Sequence, residues 1–459
     1  MKIKVINKPY REVMAERDNN RKEHRKPIKP NIFFRTLMRL VSIPDLISTK
    51  FSYKKRGMER LGKKEPAFFL MNHSSFIDLE IAATVLYPRP FNIVATTDAF
   101  MGKEWLMRKI GCIPTKKFVS DPTLVKDMMY AIKKLRTSVV MYPEVGYSID
   151  GRATVLPDSI GKCVKLLGVP LVMIRTYGAF TRDPLYNNLQ RRKVKVSASL
   201  EYLLSPEEIE KTSAEDITKL IREKFSFDNF SWQKENGVKV DEPFRADGLE
   251  RILYKCPACK SEGKTLGKGI HLTCEACGKK YTLGEDGQMY SEGGVCEFAH
   301  IPVWYDWERA EVKKEIEEGK YSFDEDVEIL VSFDTSRVYR VGDGRLLHDE
   351  HGFILTGEDL HYEQKPLSSY SMCVDFNWYE LGDIVSIGDS KCLYYCFPKN
   401  KAVPVVKVRL ATEEIYKKTK AAYDEHLREC AAKRTAAECH PECEVKQRLS
   451  DCPRENTVS

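Results

Sequence analysis

Ala67-Phe68-Phe69-Leu70-Met71-Asn72-His73-Ser74-Ser75-Phe76-Ile77-Asp78 runs five apolar residues straight into a polar turn. An apolar run this short, closed by Asn, His and Ser, reads as a buried strand, and the apolar spacing over residues 79–86 predicts a helix behind the turn. The alternation continues outward. Strands are expected at residues 91–95, 138–142, 170–177 and 193–203, and helices at 124–135, 161–167 and 215–225. Ser205-Pro206-Glu207-Glu208 has the form of a helix start. Strands and helices in this order predict an α/β domain, a layered mixed sheet with helices, over residues 65–230.

The chain has 459 residues, of which 42% are apolar and 31% charged. That length is enough for about three domains. The composition excludes a disulfide miniprotein and a wholly disordered chain, and without an apolar run near the ~20 residues of a spanning helix it excludes a polytopic membrane protein. The net charge of +7 is unevenly spread. Residues 1–64 hold 19 Lys/Arg against 6 Asp/Glu, a net +13, which leaves −6 for the remainder.

Residues 1–30 read as a basic polar arm without the apolar core of a signal peptide, so a cytoplasmic location is expected. Over 31–64, Ile32, Phe33, Leu37, Leu40, Val41 and Ile47 fall near helical spacing between Arg35, Arg39 and Lys50, with Lys54, Lys55 and Arg56 following. Such a basic amphipathic segment suits the inner, anionic face of a membrane. It equally suits a helix packed on the domain behind it, and Pro44 interrupts the pattern.

Beyond the α/β domain, residues 231–254 read as a linker, 255–285 as a cysteine module, 286–325 as a connecting helix and 326–428 as a β-rich domain. Strands are expected there at 327–333, 352–355, 371–376, 393–397 and 405–410, with a closing helix at 412–428. Residues 429–459 read as a flexible tail.

His73 and Asp78, with four residues between them, stand on a strand-to-helix turn. The carboxylate then reaches one imidazole nitrogen and leaves the other to take a proton from a hydroxyl. Tyr142-Pro143-Glu144-Val145-Gly146-Tyr147-Ser148 runs another strand into a turn, which places Glu144 at a carboxyl end, where α/β sheets bind ligands. Between them lies Gly111-Cys112-Ile113-Pro114-Thr115-Lys116-Lys117, whose basic pair is suited to an anionic group. Ser74, Ser75 and Ser148 lack a Gly-x-Ser-x-Gly turn and read as capping or turn residues.

In combination and order, these stretches resemble the glycerolipid acyltransferase family, the one that contains lysophosphatidic acid acyltransferases. Asn72, His73 and Asp78 match its first motif. Lys117, or Lys116, stands where its second motif ends in an Arg. Pro143, Glu144 and Ser148 match its third, with Val145, Gly146 and Tyr147 in place of Gly, Thr and Arg, and Val169-Pro170-Leu171-Val172 matches its fourth. The resemblance implies an O-acyltransferase that moves a fatty acyl group from acyl-CoA or acyl carrier protein to a lysophospholipid such as 1-acylglycerol 3-phosphate. His73 would be the general base and Asp78 its orienter. Asn72, Glu144, Gly146 and Ser148 would line the substrate site, and Lys116 and Lys117 would hold the acceptor's phosphate. Lys is a point charge where Arg is a planar fork, so the departures open two alternatives: another lipid or alcohol acceptor, or an inactive domain on a binding protein. Arg152 and Lys162 are candidates for the missing charge.

Of 14 cysteines, Cys256, Cys259, Cys274 and Cys277 form two Cys-x-x-Cys knuckles separated by 14 residues. This looks like a zinc ribbon, with four thiolates around one structural Zn²⁺ and no open position for catalysis. The lysines around it, including Lys255, Lys279 and Lys280, read as solvated, and nucleic acid is not an expected partner. The following β-rich segment weakly resembles a pleckstrin-homology-like domain, which implies a barrel plugged by its C-terminal helix.

Overall fold

Strand pairing gathers the apolar runs of the first half into one sheet. The structure, a computed structural model, describes residues 3–19 and 24–435. The seven strands lie in the order Ser52–Arg56, Ser197–Leu204, Leu171–Tyr177, Phe68–Met71, Ser138–Met141, Phe91–Thr96 and Cys112–Thr115. The last five are mutually parallel. Ser197–Leu204 runs antiparallel to Leu171–Tyr177, and Ser52–Arg56 follows it.

Successive residues of Phe68–Met71 face opposite sides, and both sides are covered. Phe69 and Met71 join a core with Ile77 and Ile81 of helix Ile77–Val85, whereas Phe68 and Leu70 join one with Ile160, Val164, Ile217 and Ile221. A side chain of this size contributes about 1.5–3 kcal/mol on full burial. On the second face, helix Ile160–Leu167 touches helix Ala214–Phe225 so closely that a Cβ on Gly161 would lie 1.9 Å from the Ala214 carbonyl oxygen.

Strand Ser52–Arg56 belongs to this sheet although its residues, all exposed, carry no apolar signal and fall within the segment expected to be a membrane-surface helix. The helix itself, Ile32–Ser48, passes through Pro44 without breaking, capped by Asn31, whose side chain accepts from the Phe34 N–H at 3.0 Å. Ser42 and Leu46 face the domain, while Phe33, Val41 and Ile47 are 64%, 68% and 69% exposed. Among the described residues, no helix is long and apolar enough to cross a membrane.

The second half departs further from expectation. Its sheet follows the path Leu360–Gln364, Gly352–Gly357, Val338–Asp349, Phe323–Ser332, Leu393–Pro398, Ile384–Gly388, Cys373–Asp375, and among the described residues the two end strands do not pair, so the barrel is open. Residues 405–410 are not a strand but the buried first turns of helix Val405–Thr435; Val405, Val406, Val408 and Leu410 pack inward, so burial overrides their β-branched bias. The N-terminal arm is not merely solvated. Val5–Asn7 pairs in parallel with the strand Val338–Asp349, and Val13 of helix Tyr10–Asn19 is fully buried.

The linker is also packed: Leu249, Ile252, Leu253 and Tyr254 share one core with Leu272 and Tyr281 of the cysteine module and with Trp304 of helix Ile301–Glu317. Lys255, expected in solvent, is buried beside Glu262, Glu311 and Glu315. The tail expected at 429–459 lies, beyond residue 435, outside the described residues, as do Cys439, His440, Cys443 and Cys452.

Candidate active site

Pairing of Phe68–Met71 with Ser138–Met141, in register at Leu70 and Met141, brings the two motif-bearing turns side by side. The turn at 143–148 grips the His73 backbone from both sides. Glu144 Oε1 accepts from the His73 N–H at 3.0 Å, and the Ser148 N–H donates to the His73 carbonyl at 2.8 Å. Glu144 Oε2 accepts from the Thr154 N–H at 3.1 Å. Burial, opposed by these two bonds, pushes the Glu144 carboxyl up to about 8. Glu144 is 1% exposed, so it supports His73 from behind.

The His73 side chain points the other way. Its Nδ1 lies 3.2 Å from Asp78 Oδ2, which also accepts from the Ser74 and Ser75 N–H groups at 2.7 and 3.0 Å. Asp78 is fully buried at the start of helix Ile77–Val85, where the helix dipole favours its charge. The Tyr142 ring stacks on the imidazole at 4.0 Å between centroids, and the Tyr147 ring lies tilted against it at 4.4 Å. With Nδ1 committed to Asp78, Nε2 is the nitrogen left for a substrate. Val145, where the family has Gly, holds φ +63, a conformation costly for a β-branched residue.

His73, Tyr142 and Tyr147 open onto a cavity of about 2310 Å³. Its walls come from both halves of the chain: Phe76, Leu106, Val125 and Met128 from the α/β domain, and Val374, Trp378, Tyr423 and Leu427 from the C-terminal sheet and helix. Its volume and apolar lining residues are compatible with an acyl chain.

The remaining expected residues are distributed unevenly. Asn72 ties strand ends together, its Oδ1 accepting from the Thr176 N–H at 2.8 Å. Gly146 lines the cavity with open space where a side chain would be. Ser148 Oγ donates to the Arg152 carbonyl and accepts from the Gly151 N–H, which makes it a turn residue. Lys116 donates to the Ser390 carbonyl, and Arg152 is paired with Asp150 and Asp306. Lys162 lines the cavity from helix Ile160–Leu167. Lys117 also lines it, held between Asp98 and Asp375 with Nζ 3.7 Å from each. Burial works to raise Asp98, but Lys117 and hydrogen bonds hold it low. Sequence reasoning missed Asp98, Tyr142, Asp375 and Trp378.

Cys256, Cys259, Cys274 and Cys277 bring their sulfurs within 4.8 Å of one another, with Cys256–Cys277 at 3.8 Å and Cys259–Cys274 at 3.6 Å. A tetrahedron with Zn–S bonds of about 2.3 Å has edges of about 3.8 Å, so the four thiols fit such an ion.

A large cavity with many apolar lining residues thus lies beside a His–Asp pair at the carboxyl ends of strands in an α/β sheet. Residues 52–175 match the family described as Acyltransferase, so the chain carries an acyltransferase domain over that span. Among solved structures, the crystal structure of the 1-acyl-sn-glycerophosphate (LPA) acyltransferase PlsC from Thermotoga maritima is similar at 17% identity and a TM-score of 0.32, covering 42% of this chain and 76% of that one. No curated protein matches the chain.

Proposed function

We propose that the chain transfers a fatty acyl group from an acyl thioester, acyl-CoA or acyl carrier protein, to the hydroxyl of a lysolipid at a membrane surface. The observation that carries this reading is the His73–Asp78 pair, with Nε2 left for a substrate, at the wall of a large cavity lined in part by apolar residues. Nε2 takes the hydroxyl proton as the oxygen attacks the thioester carbonyl. Asp78 stabilises the imidazolium, the tetrahedral intermediate loses its C–S bond, and the leaving thiolate recovers the proton from His73.

Membrane docking is supported by the exposed apolar face of helix Ile32–Ser48 and by Trp105, 66% exposed and in ring contact with Phe34. Lys54, Lys55 and Arg56, all exposed beside it, suit an anionic inner leaflet. Zinc held by Cys256, Cys259, Cys274 and Cys277 would supply structure only, because four protein ligands complete its shell.

His73→Ala, assayed with labelled acyl-CoA and a panel of lysolipids, should lower turnover by about 10²–10⁴-fold. Circular dichroism should show an intact fold. Unchanged transfer by this variant would sink the mechanism.

A further inference from the structure

The residue that should hold an acceptor phosphate is Lys117, and it is already occupied. Its ammonium sits between Asp98 Oδ2 and Asp375 Oδ2, 3.7 Å from each, in a site where the three side chains are 18%, 9% and 21% exposed. Two carboxylates against one ammonium leave this part of the cavity wall with a net negative charge. A phosphate carries about −1.5 to −2 charges and would meet that field with little water to screen it. Lys162 also lines the cavity, from helix Ile160–Leu167. Lys116 is turned to the Ser390 carbonyl, and Arg409 is paired with Glu413.

Asp375 belongs to the C-terminal sheet, and its placement is built rather than incidental. It ends strand Cys373–Asp375, which pairs with Ile384–Gly388, and its Oδ1 accepts from the Phe376 N–H at 2.9 Å. The loop that follows holds three residues without glycine's freedom in the left-handed region: Asn377 at φ +49, Tyr379 at +47 and Glu380 at +67. Such residues cost energy and persist only where the surroundings hold them. Here the loop delivers Trp378 Nε1 to within 3.5 Å of Asp98 Oδ2, and Tyr379 Oη donates to the Asp98 carbonyl at 3.2 Å. The C-terminal sheet is therefore docked on the very residue that shares Lys117 with Asp375.

We infer that the acceptor carries an uncharged, hydroxyl-bearing head group, a glycerol or sugar in place of a phosphate, and that Asp375 is the residue that excludes phosphate. This rests on the acyl-transfer reading above. Asp98 and Asp375 both line the cavity and lie farther from Lys117 than a hydrogen bond reaches; Asp98 already accepts from Ala99 and Trp378, so Asp375 Oδ2 is the oxygen with most accepting capacity left. Hydroxyl groups donate to such oxygens, and a phosphate dianion cannot.

The test uses the full chain with labelled acyl-CoA and three acceptors: 1-monoacylglycerol, an acyl glucoside and lysophosphatidate. Wild type should show a kcat/KM at least about tenfold higher for one of the uncharged acceptors than for lysophosphatidate. Asp375→Asn keeps an oxygen for the Phe376 N–H and removes the charge, so it should move that ratio toward lysophosphatidate by about tenfold or more. A wild type that prefers lysophosphatidate, whether its phosphate sits on Lys117 or on Lys162, would overturn the inference, and so would a ratio unmoved in Asp375→Asn. Calorimetric titration with glycerol 3-phosphate reads the charge without turnover. Binding gained in Asp375→Asn supports the assignment even if no acceptor is acylated, a result that would sink the acyl-transfer reading alone. No gain in binding overturns the assignment.

Discussion

Replacing Asp78 with Asn removes one charge and almost no volume. Asp78 Oδ2 serves three donors, the Ser74 and Ser75 N–H groups and His73 Nδ1, at 2.7, 3.0 and 3.2 Å. A side-chain amide still offers one oxygen to the two backbone groups, so the turn should survive at a cost of about 1–2 kcal/mol. The catalytic loss is larger. When His73 takes the hydroxyl proton it becomes a cation facing Asp78, and two unit charges about 4 Å apart at an effective dielectric of about 20 attract by about 4 kcal/mol. Without that charge the barrier rises by the same amount, which is about three powers of ten in rate at about 1.4 kcal/mol each. The assay is kcat for labelled acyl transfer at saturating acceptor, beside a thermal melt. KM should change little, because the charge acts after binding. A well-folded Asp78→Asn protein whose kcat stays within about threefold of wild type would refute the reasoning.

Three further outcomes are expected. Burial pushes the Asp375 carboxyl up to about 6, so as pH falls through that value it gains a proton, Lys117 loses one partner and lysophosphatidate use should rise relative to an uncharged acceptor. Any effect of protonating His73 cancels in that ratio, and Asp375→Asn serves as the baseline for the phosphate's own titration; identical slopes in the two proteins would count against the assignment. One zinc per chain should be found by atomic emission, and Cys274→Ser or a strong chelator should lower the melting temperature of the whole second half, since the ribbon shares its core with Trp304 and Leu249; a metal-free protein that melts unchanged would exclude a structural ion. Changing Lys54, Lys55 and Arg56 to Glu should weaken flotation with anionic vesicles by about two powers of ten, taking about 1 kcal/mol for each lost cation, and high salt should erase the difference.

The His–Asp turn, the Glu144 turn and the thiol knuckles were legible in the sequence because each is carried by a short run of residues, although Glu144 meets His73 and the two knuckles meet each other only in the fold. Burial on both faces makes parallel strands read as short apolar runs, which is why residues 68–71 and 138–141 stood out. What escaped reading was non-local. Ser52–Arg56 is an exposed edge strand with no apolar face to announce it, and the buried helix start at Val405 has the composition of a strand. Lys117 was legible as a cation, but its state depends on Asp98 and on Asp375, which arrives from more than 250 residues along the chain. A lone Asp in a β-rich segment carries no periodic signal that could have paired it with Lys117.

The parallel pairing of Val5–Asn7 with the strand that begins at Val338 sets a clock on biosynthesis. At about 5–20 residues per second, a ribosome spends on the order of a minute or less between the two strands. During that interval the first strand has no partner, and the α/β sheet can form while one wall of its cavity does not yet exist. Nascent chains at that stage would hold His73 and Asp78 but not Asp375, so selection of the acceptor becomes possible only after translation has passed Asp375.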